Sequence, residues 1–248
     1  MTSRDADNME QLDGPVAERG ARTRERVTPR TARYVIVGAE PAQARRIWFV
    51  LHGYGMLAER FLRPFHEIVP ADTCIVAPEG LSRFYLELPR ADGGHLQRVG
   101  ATWLTRESRE TEIADAHCWL DAVHEEVVDE AVQGTGAPPA TAVLGFSQGV
   151  ATAMRWTTVG RVRPQMFVAW AGGMAADADL TQFNDRLRDG EVCIVMGTND
   201  PFLTPENRAA AEKARSLLTA PTQLLTFDGA HHLDTPTLSL LLRRLRTP

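Results

Sequence analysis

The sequence predicts an α/β fold, with a mostly parallel central sheet, helices on both faces and no large cap domain. Three observations lead there. Short apolar runs alternate with segments of helical period along most of the chain, which is the rhythm of strand–helix–strand units. One of those runs, residues 141–146, breaks into Gly145-Phe146-Ser147-Gln148-Gly149 and continues as small, helix-compatible residues. Finally, Ser147, Asp200 and the pair His231-His232 each follow such a run, in that order.

Size and charge bound the function. At 248 residues, 44% hydrophobic and 24% charged, the chain is long enough for one well-buried domain and cramped for two. A net charge of −5 leaves no basic footprint for nucleic acid. Cys74, Cys118 and Cys193 are odd in number and lack Cys-x-x-Cys spacing, so they read as buried thiols in a reducing compartment. No apolar stretch reaches the roughly 18 residues of a membrane span, and the first residues lack the apolar core of a secretion signal. A cytoplasmic location is expected.

Residues 1–30 are polar, with Asp5, Asp7 and Glu10 followed by Arg22, Arg24 and Arg26, and are expected to form a disordered tail ahead of a catalytic domain at 31–248. Residues 33–38 suit an edge strand. The apolar run 46–51 suits a strand buried on both faces, and it ends in His52-Gly53-Tyr54-Gly55. A helix carrying Leu57, Phe61, Leu62, Phe65 and Ile68 is expected next, then a buried strand at 73–77. Gly80, Pro89, Gly93, Gly94 and Gly100 interrupt residues 78–109, while Phe84, Tyr85, Leu86 and Trp103 stay apolar, so this stretch is read as an ordered loop or small lid.

Ile113, Ala116, Leu120, Val123 and Val127 recur at helical spacing and mark a long amphipathic helix. His117 and His124 flank its stripe without a third ligand at metal-site spacing, and no metal or cofactor is expected. After the Ser147 segment come strands at 166–170, 192–196 and 223–227. Helices are expected near 180–187 and 205–218, and a last one carries Leu238, Leu240, Leu241 and Leu245.

In an open parallel sheet the loops leaving the carboxyl ends of the strands share one edge, so Ser147, Asp200 and a histidine are expected to meet there. Ser147 sits where a strand turns abruptly into a helix, a strained geometry that presents its hydroxyl. A neutral serine needs a base to take its proton, and the base needs a carboxylate to orient it. Asp200 is the candidate acid, since Asp228 and Asp234 lie too close in sequence to the histidines. Neighbours in an extended segment point opposite ways, so only one of His231 and His232 can reach Ser147; His231 is taken as the base. The backbone N–H groups of Tyr54 and Gln148 are the candidate oxyanion donors, and His52 is read as structural. Phe84, Tyr85, Trp103 and the Tyr54 side chain are candidates for the acyl-binding wall.

Taken together, Leu51-His52-Gly53-Tyr54-Gly55, Gly145-Phe146-Ser147-Gln148-Gly149, Gly197-Thr198-Asn199-Asp200-Pro201 and Phe227-Asp228-Gly229-Ala230-His231 resemble the motifs of the phospholipase/carboxylesterase family of serine hydrolases, the α/β-hydrolase group that includes acyl-protein thioesterases. The resemblance covers residues ~31–248 and favours His231 over His232. It implies an α/β-hydrolase fold and hydrolysis through an acyl-enzyme, with Ser147, His231 and Asp200 as nucleophile, base and acid. Tyr54 stands where the thioesterase branch usually has Leu, and residues 79–87 differ from that branch's loop. The expectation is therefore a carboxylesterase for short- to medium-chain esters. A lysophospholipase or acyl-protein thioesterase is the alternative, and a binding protein on a hydrolase scaffold is the reading outside enzymes. A small-molecule ester is the expected partner, with a homodimer left open.

Overall fold

The computed structural model describes residues 22–89 and 93–246. The chain divides into two compact units, Met1–Thr31 and Ala32–Pro248. In the first, residues 22–31 are exposed and carry no helix or strand, and the rest of the expected tail, 1–21, lies outside the described residues.

The second unit is built on a sheet of seven strands: β1 (Tyr34–Gly38), β2 (Arg46–Leu51), β3 (Thr73–Pro78), β6 (Ala140–Phe146), β7 (Met166–Trp170), β8 (Glu191–Gly197) and β9 (Thr222–Phe227). Their spatial order is β1-β3-β2-β6-β7-β8-β9. All neighbours run parallel except β1, which pairs antiparallel with β3 at the edge. From β2 the chain moves outward to β3 and later returns to β6 on the other side. The ends of β2 and β6 therefore flank a switch point, where crevices form in such sheets.

Helices cover both faces. α2 (Arg109–Thr135), α3 (Gln148–Val159) and α4 (Leu180–Arg186) belong to one layer, and α1 (Ala58–Phe61) and α6 (Thr235–Arg244) to the other, with α5 (Pro205–Ser216) joining β8 to β9. The period-two alternation of β2 assigns its side chains. Ile47, Phe49 and Leu51 pack with Leu120, Val123 and Val127 of α2, whereas Trp48 and Val50 pack with Phe61, Phe65, Leu238 and Leu241. That two-sided burial explains why the strand reads as an unbroken apolar run.

Three expectations need correction. The helix anticipated after Gly55 stops at Phe61 and gives way to a 3-10 turn, Arg63–Phe65. Pro64 lacks the N–H that a further helical turn needs and its ring crowds the preceding turn. The stretch 78–109 is mainly a β-hairpin, β4 (Ser82–Pro89) against β5 (His95–Thr102), separate from the main sheet. Its period is present in the sequence: Phe84 and Leu86 are half-buried while Arg83, Tyr85 and Glu87 are exposed. A bridge between Met56 and Ala101 joins it to the loop after β2. Finally, Cys74 and Cys193 are buried but Cys118 is exposed, because it falls off the stripe formed by Ala116, Leu120, Val123 and Val127 on α2.

Among the described residues, no helix is long and apolar enough to cross a membrane.

Candidate active site

Ser147 occupies the turn between β6 and α3 with φ 53° and ψ −119°. A positive φ at a non-glycine residue costs on the order of 1–3 kcal/mol and persists only where its surroundings enforce it. Here they do. The Ser147 N–H donates to Trp170 O at 2.9 Å, fixing the turn to the end of β7. Two turns of close packing hold it from below: a Cβ on Gly149 would lie 2.3 Å from Leu51 O, and one on Gly145 2.5 Å from Gly149 O. Only glycine lets α3 start this close to β2.

Gln148 is the first residue of α3, and the first N–H groups of a helix have no partner within it. Its side chain is tied down. The Gln148 Oε1 accepts from Trp103 N at 3.3 Å, and Nε2 donates to Thr102 Oγ1 at 2.8 Å and to Leu104 O at 3.1 Å, so the hairpin end is pinned to the helix start. On the other side of Ser147 runs the loop after β2. A Cβ on Gly53 would come within 3.2 Å of the Ser147 Cβ, which places the Gly53–Tyr54 backbone beside the serine.

The loops carrying Asp200 and His231 leave adjacent strands, β8 and β9. Thr198 N–H donates to Phe227 O and Asn199 N–H to Gly229 O, each at 2.9 Å, clamping the two loops together. Asp200 and His231 meet across this clamp: His231 Nδ1–H donates to Asp200 Oδ2 at 2.8 Å. The other carboxylate oxygen accepts Phe202 N–H at 2.8 Å, and the Asp200 side chain is only 4% exposed. Because Nδ1 carries the proton bound to the carboxylate, Nε2 is left as the basic nitrogen. The imidazole lies between two aromatic rings, Phe146 at 4.9 Å and Phe202 at 4.8 Å.

The rivals have other roles. Asp228 accepts from Asn199 Nδ2 at 2.8 Å, and Asp234 caps α6 by accepting from Thr237 N–H at 2.9 Å. The exposed His232 turns its ring against Phe227 at 5.3 Å, while its carbonyl accepts from Trp170 Nε1 at 3.0 Å.

His52 is fully buried and bonded at both nitrogens. Gly80 N–H donates to Nε2 at 2.9 Å, which makes Nδ1 the donor to Gly53 O at 2.8 Å. Burial lowers its pKa to about 4, against a weaker opposing pull from the Gly53 carbonyl and Glu79. A neutral ring that buttresses the loop before Tyr54 is a structural part of the site. Trp103 stacks on it at 4.9 Å and donates from Nε1 to His52 O at 2.8 Å.

Ser147, Gln148, Asp200 and His231 all line one cavity of about 600 Å³. Four residues expected on its wall are not there. Trp103 is buried behind His52, Tyr54 is exposed and packs on Phe84 at 5.1 Å, and Tyr85 points from the opposite face of β4 into solvent. The apolar wall comes instead from Leu104, Met174, Ile194, Met196, Phe202 and Leu203. These belong to β8 and to connecting segments whose mutual approach depends on the whole sheet. Two arginines, Arg109 and Arg155, also reach the cavity and share Asp177, whose carboxyl they hold well below the usual carboxylate range, Arg155 most strongly. Sequence reasoning passed over both, although Arg155 stood out as the one charged residue in α3. Among the described residues, no cluster of three His, Cys, Asp or Glu side chains is placed to hold a metal ion.

A parallel sheet with a serine at a strained strand-to-helix turn, and with Asp and His on the loops after two later strands, defines the α/β-hydrolase fold. No family model matches the sequence, and no curated protein does. Solved structures with the same architecture are similar over nearly their full length. A phospholipase/carboxylesterase from Dyadobacter fermentans superposes with a TM-score of 0.62, covering 88% of this chain and 98% of that one at 16% identity. A carboxylesterase from Mesorhizobium loti gives 0.60, covering 88% and 94% at 17% identity. Acyl-protein thioesterase 2 from Zea mays gives 0.59, covering 86% and 97% at 12% identity. At these identities the likeness is one of fold.

Proposed function

We propose that the chain is a serine carboxylesterase of the phospholipase/carboxylesterase type, with residues 31–248 as its catalytic domain. The observation that carries this is the 2.8 Å bond from His231 to the buried Asp200 on the wall of the cavity that Ser147 also lines. The similar folds of two carboxylesterases support the same reading.

In this mechanism Ser147 Oγ attacks the ester carbonyl while His231 Nε2 takes its proton, and Asp200 stabilises the imidazolium without itself being protonated. The N–H groups of Gln148 and Tyr54 hold the developing oxyanion. Collapse of the tetrahedral intermediate expels the alcohol, which receives the proton from His231. Water, activated by the same histidine, then attacks the acyl-enzyme, releases the acid and restores Ser147. A cavity of about 600 Å³ with an apolar wall suits short to medium acyl groups. Met174, Ile194, Met196 and Leu203 on the same wall would also pack on a longer acyl chain, which is the second reading, acyl thioesterase or lysophospholipase.

Hydrolysis of p-nitrophenyl esters from acetate to dodecanoate tests both. We expect a maximum at butyrate to octanoate and loss of activity by a factor on the order of 10⁴–10⁶ in Ser147→Ala, together with loss of labelling by a fluorophosphonate probe. A maximum at dodecanoate would favour the second reading. Undiminished turnover by Ser147→Ala would refute both.

A further inference from the structure

The cavity wall carries more positive charge than an apolar acyl group requires. Arg155 lies on the same face of α3 as Gln148 and Ala151, and all three residues line the cavity. Its side chain is 12% exposed, and it binds Asp177 through Nε at 3.0 Å and Nη2 at 2.8 Å. Arg109, at the start of α2, joins the same carboxylate from Nη2 at 2.7 Å. Among the described residues its Nη1 pairs with Glu110, which is 87% exposed and screened by solvent. Arg109 and Arg155 both line the cavity, and Asp177 between them does not. Arg155 Nη1 has no protein hydrogen-bond partner among the described residues.

Two cations meet Asp177 here, with the exposed Glu110 beside Arg109 and Asp200 already engaged by His231; Asp177 is 43% exposed, so solvent screens the group and the geometry of the guanidinium donors carries the recognition. Arginine also offers the planar donor geometry that suits carboxylate and phosphate oxygens. Eight residues separate Arg155 from Ser147 along α3, a rise of about 12 Å, and helical side chains lean back toward the N-terminus. The guanidinium thus lies roughly 6–12 Å from the nucleophile, a distance spanned by about five to ten bonds of extended chain.

On the esterase reading above, we propose that Arg155 and Arg109 form an anion subsite, and that the substrate is an ester bearing a carboxylate or phosphate group five to ten bonds from the scissile carbonyl. The neutral half of the molecule packs on the apolar wall, and the charge makes a salt bridge with Arg155, drawing it partly away from Asp177.

The test has a kinetic arm and a binding arm. In the first, p-nitrophenyl monoesters of adipic and suberic acid are compared with p-nitrophenyl hexanoate and octanoate. The wild type should favour the charged esters by about tenfold in kcat/KM at low salt, mainly through KM. Arg155→Gln should bring the charged-to-neutral ratio of kcat/KM down to about one whatever its effect on absolute turnover, and Asp177→Asn, which keeps both arginines, should enlarge the ratio. In the second arm, calorimetry on Ser147→Ala compares monomethyl suberate and octyl phosphate with the uncharged methyl octanoate and octanol. Tighter binding of either long-range anion than of its matched control, reduced by Arg155→Gln, supports the subsite. Equal binding in both comparisons overturns it, as does unchanged selectivity in both Arg155→Gln and Asp177→Asn. The binding arm needs no turnover, so failure of the esterase reading and failure of the subsite give different results.

Discussion

The Phe202 ring meets the His231 imidazole at 4.8 Å with an interplanar angle of 66°, closing the side of the ring that Phe146 leaves open. Phe202 is itself 63% exposed, so it contributes little to the core and sits over the histidine at the cavity wall. Its N–H also donates to Asp200. One residue therefore steadies both Asp200 and His231, by backbone to the first and by ring to the second.

Removing that ring should slow turnover without unfolding the protein. An aromatic contact is worth about 0.5–1.5 kcal/mol, so Phe202→Ala should lower kcat for p-nitrophenyl butyrate by up to about tenfold at an unchanged thermal midpoint. Phe202→Tyr should retain activity. A midpoint that falls in parallel with kcat would show that Phe202 acts on the fold instead.

Asp200→Asn should lower kcat on the order of 10⁴-fold, because an amide can stabilise the wrong histidine tautomer and no longer balances the imidazolium. Asp228→Asn supplies the comparison. Asp228 is exposed and bonded to Asn199 rather than to His231, so its loss should change kcat by no more than about twofold. Reversed magnitudes in a steady-state assay would move the acid to Asp228.

Stability should respond sharply to a single methyl group at the base of the Ser147 turn. Gly149→Ala drives a Cβ to within 2.3 Å of the Leu51 carbonyl oxygen, and neither backbone can yield without shifting a strand. A cost of about 2–4 kcal/mol in urea unfolding is expected. Gly173→Ala, at a position with nothing within 4 Å, should cost less than about 0.5 kcal/mol.

Buried His52 should make stability depend on pH. Its folded pKa of about 4 lies below the ordinary 6.5, so between those values the unfolded chain binds more protons than the folded one. His52 therefore contributes stability in full above about pH 6.5 and loses it as pH falls toward 4, by up to about 3 kcal/mol. Burial lowers His117 and His124 in the same direction. Urea midpoints measured from pH 7.5 to 4.5 should fall steeply for the wild type and less steeply for His52→Asn. Equal slopes would assign the acid sensitivity to other groups.

Much of this molecule was legible before any coordinates. Strands buried on both faces announced themselves as unbroken apolar runs, because β2, β6, β7 and β8 each have helices above and below. The glycines around Ser147 marked a turn in which two backbones touch. Asp200 and His231 followed strands whose carboxyl ends a parallel sheet must bring to one edge. In each case a short-range pattern carries a long-range consequence, since parallel pairing leaves few alternatives for where a strand end can lie. The hairpin of residues 82–102 was also written in the chain, as the alternation of Phe84 and Leu86 with Arg83, Tyr85 and Glu87, but the glycines around it masked that period.

The composition of the cavity wall was decided only by tertiary structure. Tyr54, Phe84, Tyr85 and Trp103 are near the site in sequence and aromatic, yet the hairpin turns Tyr85 outward, pairs Phe84 with Tyr54, and buries Trp103 against His52. Arg155 arrives from α3, Met174 from the segment after β7, and Met196 and Phe202 from β8 and the loop that leaves it. Nothing in their local sequence marks them as neighbours. A strand's period and a tight turn are set by residues next to one another in the chain. The sequence by itself therefore determined the parallel sheet and the order of Ser147, Asp200 and His231 along its edge, whereas a concave surface depends on how distant elements pack, and only the folded chain decided which side chains face Ser147.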